Sequence, residues 1–450
     1  MLTTKVSSGL LAAAMMASVL AGCASSGEKK AGETASKPNE VNYNEAVTLT
    51  FVSQFADNQE YFNKLYGDRI KKKFPNVTID FIPRGTGTGI ADLVASGRNP
   101  DIMYGNLSDI DGFLIDTGLA YDMSDLVKKN NYDLNRFDPV HIDSIRNTNP
   151  DGALYGLPMP SSQVQVMFYN KSLFDKFGVP YPKDGMTWDD TYELAKKMTR
   201  VDAGQVYRGF SSFIGAVLRD NQLSIPYLDP KADQMNNSER WKTLIDNLGR
   251  FYLIENNNRD PKKRSQTDEY TAFQKNMNVA MQVNQLTRYL EFPEELNWDM
   301  VTIPTFKEAP NVGSQPGAYY WYISQTNKHK DISFAIISYM LSDEVQLDMA
   351  KTLGLVPSLK NTSDIFKSIG QDVPQLKGKN IPAVYKYKPA SAPPKRDKSL
   401  IGANPNELKK SMEKAFDRIT LDKVDLNTAL RDAAEEMAKA VEQKKANMKK

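Results

Sequence analysis

Short apolar runs alternate with amphipathic stretches early in the chain, and this alternation predicts the fold class. Residues 47–52 and 77–82 are rich in apolar and β-branched side chains, which predicts two buried strands. Residues 61–73 carry apolar side chains at helical spacing, and a second helix is predicted at 90–96, before a third strand at 101–104. This β-α-β-α-β order favours a parallel sheet with covering helices, so the predicted fold class is α/β.

Polar side chains follow the first and the third of these predicted strands. Gln54 and Asp57 come after the first strand, and Asn106 and Asp109 come after the third. Because ligands of open α/β sheets bind at the carboxyl ends of the strands, these four residues are predicted to contact a ligand. Capping of a helix N-terminus is the alternative role for both aspartates.

Cys23 is the only cysteine of the chain. It ends the run Leu20-Ala21-Gly22-Cys23 after an apolar stretch that starts at Gly9 and follows Lys5. The stretch is too short to span a bilayer, and its layout predicts a secretory signal over 1–22. A small-residue site that ends at cysteine resembles the lipobox of bacterial lipoproteins. The resemblance implies that Cys23 is lipidated and anchors the protein to the cell membrane, outside the cytoplasm, although a plain signal peptide remains the alternative.

Residues 23–45 are small and polar, which predicts a disordered tether rather than part of a core. The chain has 57 Lys and Arg against 55 Asp and Glu. Removal of the signal takes away only Lys5, so the mature net charge is close to +1, which gives no reason to expect nucleic acid as a partner. With Cys23 lipidated, no cysteine remains for disulfides.

The two histidines, His141 and His329, lie far apart in polar segments and are predicted at the surface. No Cys/His spacing typical of a metal site is present, and two isolated histidines do not argue for a Ser-His-Asp triad. We therefore expect no metal, no cofactor and no catalytic residues.

Several segments of the body, taken in order, carry a family resemblance. They are 154–158 (LYGLP), 166–174 (VMFYNKSLF), 187–190 (TWDD), 273–281 (FQKNMNVAM), 298–304 (WDMVTIP), 331–346 and 353–358 (LGLVPS). Their order resembles the family 1 extracellular solute-binding proteins, the maltose-binding-protein-like receptors of ABC importers, over about residues 46 to 445. Asn276 stands where many members have glycine.

The resemblance implies a two-lobe, periplasmic-binding-protein-like fold (type II), each lobe a mainly parallel sheet with flanking helices, with the ligand cleft between them. The implied N-terminal lobe is 46–160 with 282–320, the C-terminal lobe is 165–277 with 324–445, and crossings lie near 158–164, 276–282 and 317–324.

Residues on these crossings, or directly after the second of them, are the further expected ligand contacts. They are Ser162, Gln163, Asn284, Gln285, Tyr319 and Trp321, with Phe213 and Tyr227 from the second lobe. Aromatic rings stack on sugar faces, and amides and carboxylates bond to the hydroxyls. Core packing is the alternative for Tyr319 and Trp321. Hinge or backbone hydrogen bonds are the alternative for the amides.

The function implied by the resemblance is a monomeric, lipid-anchored receptor. It would capture a carbohydrate, of oligosaccharide size, by hinge closure and deliver it to an ABC permease. It would not be an enzyme. Two alternatives stay open: the same fold for a peptide, polyamine or metal chelate, and an extracellular hydrolase acting on glycans or esters, since the many acidic residues allow a pair of catalytic carboxylates.

Overall fold

A computed structural model describes residues 46–148, 151–161, 163–236, 239–360 and 364–448, apart from the side chain of Asp109. The described strands, in chain order, are β1 Val47–Ser53, β2 Val77–Ile82, β3 Ile102–Asn106, β4 Gly156–Pro158, β5 Gln165–Asn170, β6 Arg200–Asp202, β7 Gln205–Ser212, β8 Val279–Gln285, β9 Trp298–Thr302 and β10 Tyr319–Ile323. They form two five-stranded sheets. The three strands predicted from the alternating pattern are therefore confirmed within two residues at each end.

The first sheet has the strand order β2-β1-β3-β10-β4. β1 pairs in parallel with β2 and with β3, as the sequence predicts, whereas β10 runs antiparallel to both β3 and β4. The second sheet has the order β6-β7-β8-β5-β9, in which β7 and β8 are parallel and the other pairs are antiparallel.

The fold class is α/β, as predicted, but the expectation of mainly parallel sheets is wrong. Both sheets are mixed. A parallel pair joined within one sheet needs a covering crossover connection. The chain instead reaches β10 from the second sheet and reaches β5 from the first sheet. No crossover within one sheet is involved, and both strands pair in the antiparallel direction.

The described α-helices are α1 Gln59–Phe62, α2 Asp68–Lys73, α3 Ile90–Ala95, α4 Ser124–Lys129, α5 Pro139–Thr148, α6 Lys171–Phe177, α7 Trp188–Met198, α8 Ile214–Arg219, α9 Glu239–Gly249, α10 Gln266–Gln274, α11 Lys330–Met340, α12 Asp343–Leu353, α13 Pro405–Thr420 and α14 Leu426–Met448. Short 3₁₀ helices cover Leu107–Asp109, Leu134–Arg136, Arg250–Leu253, Leu286–Glu291, Asp364–Ser368, Pro374–Leu376 and Ile381–Val384, and π-helical turns cover Asn63–Gly67 and Asp111–Ile115. The helix predicted at 61–73 is thus divided by a π turn. The Thr187 motif starts α7 with a capping box to Asp190.

The sheets pack on two apolar cores, and β5 contributes side chains to both of them. Val166 and Phe168 join the first core, while Met167 and Tyr169, on the opposite face, join the second. Because both faces of β5 are covered, its side chains are all buried. We call the first sheet with its helices the first lobe, and the second sheet with its helices the second lobe.

The lobe boundaries expected from the resemblance need correction. β8 and β9 lie in the second sheet, so most of 282–320 does not belong to the first lobe. α11 contacts β10 and α2 of the first lobe, and α12 packs on α11 and pairs with α2 through Asp348 and Arg69, so the start of 324–445 does not belong to the second lobe. The chain leaves the first sheet after Pro158, returns between Thr302 and Tyr319, and reaches the second core again by Ala403. Segment 276–282 stays within the second lobe and is not a crossing.

Cys23, the signal over 1–22 and all of the tether over 23–45 lie outside the described residues. Across the ranges that are described, the helices include none that is both long enough and apolar enough to cross a membrane.

Candidate functional site

The loops after β1 and β3 are tied together at the carboxyl edge of the first sheet. The Oε1 atom of Gln54 accepts a hydrogen bond from the backbone N–H of Asn106 at 2.5 Å, and the Gln54 N–H donates to the carbonyl of Tyr104 at 2.9 Å. Gln54 is 8% exposed. The predicted residues Gln54 and Asn106 are therefore joined by a hydrogen bond, and the Gln54 side chain is buried at this edge.

Asp57 is held by its own lobe. Its carboxylate accepts hydrogen bonds from Ser53 Oγ at 2.8 Å and from the Tyr104 hydroxyl at 2.7 Å. Burial raises the pKa of Tyr104, so the phenol stays protonated as a donor. The alternative role of Asp57 as a helix cap is wrong, because Asn58 accepts from the backbone N–H of Tyr61 and caps α1.

The aromatic run on β10 divides between two environments. Trp321 is 1% exposed and packs edge-on against Tyr66, with ring centroids 4.9 Å apart, and against Tyr104 at 5.1 Å. It lies opposite Tyr104 in the β3–β10 ladder. Its burial under two first-lobe rings favours the packing alternative over stacking on a ligand.

Tyr319, two residues earlier on the same face of β10, lies at the sheet edge between the lobes. Its ring is 4.6 Å from that of Phe55. Burial raises its pKa to about 12, against an opposing effect of the Arg219 guanidinium. Since Arg219 belongs to α8 of the second lobe, Tyr319 has neighbours from both lobes.

Two aromatic residues of the second lobe, Phe213 and Tyr270, meet edge to face at 5.2 Å. The Arg288 guanidinium lies over both rings, 5.8 Å from the centre of Phe213 and 4.7 Å from that of Tyr270. Arg288 is itself paired with Glu291 at 2.5 Å. Phe213, predicted from the sequence, is thus part of a half-buried aromatic and cationic surface.

The predicted residue Tyr227 stacks on Trp241 at 5.6 Å, and its hydroxyl is buried without a hydrogen-bond partner. Burial raises its pKa, which nearby Arg219 opposes. Arg219 forms a two-pronged ion pair with Asp220, with Nε–Oδ1 2.8 Å and Nη2–Oδ2 2.5 Å. Asp220 is in turn close to the crossing: a Cβ added at Gly317 would come within 3.1 Å of its Oδ2.

The amides Gln163, Asn284 and Gln285 form a junction between the lobes. Gln285 Nε2 donates to Gln163 Oε1 across the first crossing, and Asn284 Oδ1 accepts from the Gln285 N–H at 2.9 Å. Asn284 is fully buried and Gln285 is 4% exposed. These contacts match the hinge alternative of the sequence analysis. Ser162 and the side chain of Asp109 lie outside the description.

Sequence reasoning missed several residues at this site. They are Phe55, Tyr61, Arg219, Asp220, Tyr270 and Arg288. Tyr61 is 47% exposed and shares the electrostatic surroundings of Tyr319. Phe55 directly follows Gln54 after the first strand, so the reasoning that identified Gln54 could also have identified Phe55. Arg219, Tyr270 and Arg288 lie in helical segments, where no periodicity separates them from surface residues.

A partly enclosed cavity of about 90 Å³ lies at the lobe junction, and Gly317 of its lining is close to Gln163 and Asp220. Of the predicted site residues that the structure describes, Gln163 lines it and the aromatic residues do not. His141 lines it too and is 9% exposed, so the prediction that this histidine lies at the surface is wrong. Within the described ranges, no three His, Cys, Asp or Glu side chains are grouped to hold a metal ion.

Comparisons with known proteins give a family match and a shared fold. The sequence model of the family described as "Bacterial extracellular solute-binding protein" matches residues 53–347. The sn-glycerol-3-phosphate-binding periplasmic protein of Agrobacterium fabrum is 30% identical over 95 residues, which cover 21% of each chain. That similarity therefore spans about a fifth of the relative's own length.

Two solved structures resemble nearly the whole chain. The ABC substrate-binding protein from Listeria monocytogenes in complex with cycloalternan is 19% identical, with a TM-score of 0.67 over 88% of this chain and 99% of its own. The sugar-binding protein MalE from Xanthomonas citri is 16% identical, with a TM-score of 0.65 over 90% and 99%. At these identities the likeness speaks for the fold, a two-lobe binding-protein fold of the MalE type.

Proposed function

The chain belongs to the family of bacterial extracellular solute-binding proteins, and we propose that its ligand is a carbohydrate of oligosaccharide size, captured between the two lobes. The observation that carries this proposal is the pairing of aromatic rings from both lobes with hydrogen-bonding side chains. Phe55 and Tyr319 pair in the first lobe, Phe213 and Tyr270 pair in the second, and the Arg219 guanidinium acts electrostatically on both tyrosines, which supports a shared site. Such a mixture of apolar faces and a few placed polar groups suits a pyranose.

The charges at the site favour a neutral ligand. Arg219 is paired with Asp220, and Arg288 is paired with Glu291. A phosphate ester could pair with Arg219 or Arg288 only if the guanidinium first left its carboxylate. The free energy of the broken ion pair would offset part of the free energy of phosphate binding. The glycerol-3-phosphate-binding relative therefore suggests a less suitable ligand than the sugars bound by the structural neighbours, among them the cycloalternan complex.

Affinity arises from contacts that need both lobes. Each good hydrogen bond to a charged group contributes about 1.5–3 kcal/mol, and micromolar binding requires about 8 kcal/mol in total. A ligand that touches both lobes only in the closed arrangement shifts the population toward that arrangement. The segments between Pro158 and Gln165, between Thr302 and Tyr319 and before Ala403 are the proposed hinge connections.

A thermal-shift screen over mono- and oligosaccharides, polyols, peptides, polyamines and sugar phosphates tests the ligand class. A true ligand at 100 times its dissociation constant should stabilise the protein by about 2.7 kcal/mol. Stabilisation by neutral oligosaccharides, and none by sugar phosphates, is the expected result. A response confined to peptides, polyamines or phosphates contradicts the proposal.

Proteins of this family bind solutes, and we propose that this chain binds its sugar without catalysing a reaction. Incubation with diverse glycans, followed by measurement of new reducing ends, tests this directly. Turnover with a defined pH profile would establish a hydrolase, because glycoside cleavage needs two titrating carboxyl groups. Loss of that turnover in a Tyr319→Ala variant would locate it at the same site.

The proposed setting is a lipid anchor on Cys23, a tether up to residue 45, and docking of the closed, monomeric receptor on an ABC permease. A Cys23→Ser variant should leave the membrane fraction while it retains ligand binding, because anchoring and folding use separate parts of the chain. Membrane retention of that variant after detergent-free washing contradicts the lipid anchor.

A further inference from the structure

Helix α13 carries an acidic residue, Glu413, and lies between the two lobes. Its apolar face packs in the second core through Leu408 and Met412. The same helix contacts the 3₁₀ turn Leu107–Asp109 of the first lobe, which directly follows β3. α13 therefore reaches from the second lobe to the edge of the first sheet at which Asn106 lies.

Two residues of the second lobe fix the position of the Glu413 carboxylate. The Gln266 Nε2 atom donates to Glu413 Oε1 at 3.0 Å, and the Gln266 Oε1 atom accepts from the Gly215 N–H at 3.1 Å. A Cβ atom added at Gly215 would overlap Glu413 Oε1. The carboxylate can occupy this position because residue 215 is glycine, which lets another group approach its backbone closely.

The charge of Glu413 acts on the aromatic residues between the lobes. Gln266 begins α10, and Tyr270 lies one helical turn further along it. Burial raises the pKa of Tyr270 above its usual value, and the charge of Glu413 adds to this rise while that of Arg219 opposes it. Arg219 has the same opposing effect on Tyr319 of the first lobe. We call the region that holds Tyr270, Tyr319 and Arg219 the interlobe site, and Glu413 lies close to it.

Glu413 differs from the other acidic residues that the second lobe places at the interlobe site. Asp220 and Glu291 are each paired with an arginine. Among the described residues, no lysine or arginine forms an ion pair with Glu413, and its Oε2 atom accepts no hydrogen bond and is open to solvent. A carboxylate offers about four acceptor positions, and Gln266 occupies one of them. Glu413 therefore has acceptor positions available to a ligand.

We propose that Glu413 binds hydroxyl groups of the ligand and makes the interlobe site selective for neutral over acidic oligosaccharides, which rests on the proposed function. Hydrogen bonds from hydroxyl groups to a carboxylate are roughly twice as strong as those between neutral groups. The same charge repels the carboxylate of a uronic acid, and Arg219 and Arg288 are already paired with carboxylates. Selectivity thus arises from a repulsive contact as well as from an attractive one.

Maltotriose, cellotriose and mannotriose are the probes, each beside a derivative in which a terminal hydroxymethyl group is oxidised to a carboxylate. Calorimetric titration gives both dissociation constants for each variant. Glu413→Gln keeps the size of the side chain and removes its charge. The dissociation constant of the neutral trisaccharide that binds should rise about tenfold, because a charged acceptor is replaced by a neutral one. The preference for the neutral over the acidic form should fall by at least about tenfold.

Glu407→Gln is the matched control, because Glu407 is an exposed acidic residue on the same helix. Both dissociation constants should stay unchanged in it. Gly215→Ala keeps the charge of Glu413 but displaces its carboxylate, so it should also weaken binding of the neutral trisaccharide. An unchanged neutral constant or an unchanged preference in Glu413→Gln overturns the proposal, as do equal losses in Glu413→Gln and Glu407→Gln.

Carboxyl labelling of the native protein separates failure of the residue from failure of the ligand class. Trypsin cuts after Lys410 and Lys414, so Glu413 is the only acidic side chain of peptide 411–414. Carbodiimide with glycine ethyl ester should modify this peptide in the free protein, and less once a neutral trisaccharide is bound. Absence of modification in the free protein overturns the proposal whether or not a sugar binds.

Binding of none of the trisaccharides, beside a modified peptide 411–414, contradicts the proposed function instead. Titration of Glu413→Gln with the peptide or polyamine that stabilises the protein in the thermal-shift screen then decides the role of the residue. A weaker affinity supports Glu413 as a binding residue, and an unchanged affinity overturns it.

Discussion

The two lobes differ in the kind of side chain that they bury: the first buries packed aromatic rings, and the second also buries a network of ion pairs. In the first lobe, Tyr66 packs against Tyr104 at 5.1 Å and against Trp321 at 4.9 Å. In the second lobe, Glu269 is 7% exposed at its side chain and pairs with Arg208 at 2.9 Å, while Arg259 pairs with Asp417. Truncation of a packed apolar side chain lowers the free energy of unfolding in step with the cavity volume that it leaves. Removal of one member of a buried ion network lowers it because the remaining charge has no partner.

The largest loss of stability is expected from Glu269→Ala. The change leaves Arg208 and Arg259, 11% and 2% exposed at their side chains, without this counter-charge. The free energy of unfolding should fall by about 3–5 kcal/mol in urea melts. The matched control is Asp364→Ala, whose ion pair with Lys367 is almost fully exposed and whose loss should leave the midpoint unchanged. Equal effects of the two variants would refute the buried network.

Trp321→Ala tests the aromatic side of the comparison. Truncation of this buried ring should lower the free energy of unfolding by about 3–5 kcal/mol and leave the sugar affinity of the folded protein nearly unchanged. A urea melt beside a calorimetric titration measures both quantities. Weakened binding at unchanged stability would return Trp321 to the stacking role that the sequence analysis considered.

His141 extends the comparison, because the first lobe buries this titratable group and the charge of nearby Asp138 opposes the effect of burial only in part. Burial lowers its pKa to about 4 from 6.5, so the unfolded chain binds the proton more tightly. Stability should therefore be complete above about pH 6.5 and fall by about 3 kcal/mol as the pH drops to about 4. His141→Phe should remove this part of the pH dependence in urea melts at a series of pH values. An identical pH profile in the variant contradicts the assignment.

Tyr319→Ala tests the boundary between the lobes. Because the ring lies at the sheet edge rather than under other rings, its loss should weaken sugar binding by about 1–3 kcal/mol, or about ten- to hundredfold. Stability should change less than in Trp321→Ala. Tyr181→Ala, a half-exposed tyrosine paired with Asp175, is the control and should retain affinity. A normal dissociation constant for the Tyr319 variant would remove it from the site.

The smallest expected effect comes from an ion pair between the lobes. Lys444 of α14 lies 3.1 Å from Asp111 of the first lobe. Asp111→Asn should weaken the attraction between the two lobes by about 0.2–1 kcal/mol. This loss should be measurable as a change in sugar affinity, and the change should become smaller as salt is added. A salt-independent change would show that the pair does not act through its charge.

The start of the first lobe could be predicted from local pattern, because the strands predicted at 47–52, 77–82 and 101–104 correspond to β1, β2 and β3. In the second lobe, the start of α7 follows from its capping motif at Thr187. The residues after β1 and β3 were also predicted together, because parallel neighbours end at a common edge. Gln54 and Asn106 are in fact hydrogen-bonded there.

The rest depended on contacts between residues distant in the sequence. Tyr319 and Trp321 lie on the same face of one strand, and no local signal separates them; the rings of Tyr66 and Tyr104 decide that Trp321 is buried. The mixed sheets arise because β5 and β10 enter from the opposite lobe. The local sequence around His141 predicts a surface residue; only the packing of α5 buries it and leaves its Nδ1 without a hydrogen-bond partner among the described residues.

The α/β class, the first three strands and the family can be predicted from the chain alone, because they depend on local periodicity and on the order of motifs. Which aromatic rings are buried, which lobe each late segment joins, and the pairing of Arg219 and Arg288 with carboxylates depend on the tertiary structure. Burial and charge pairing are set by residues that meet across the fold, and spacing along the chain does not encode them.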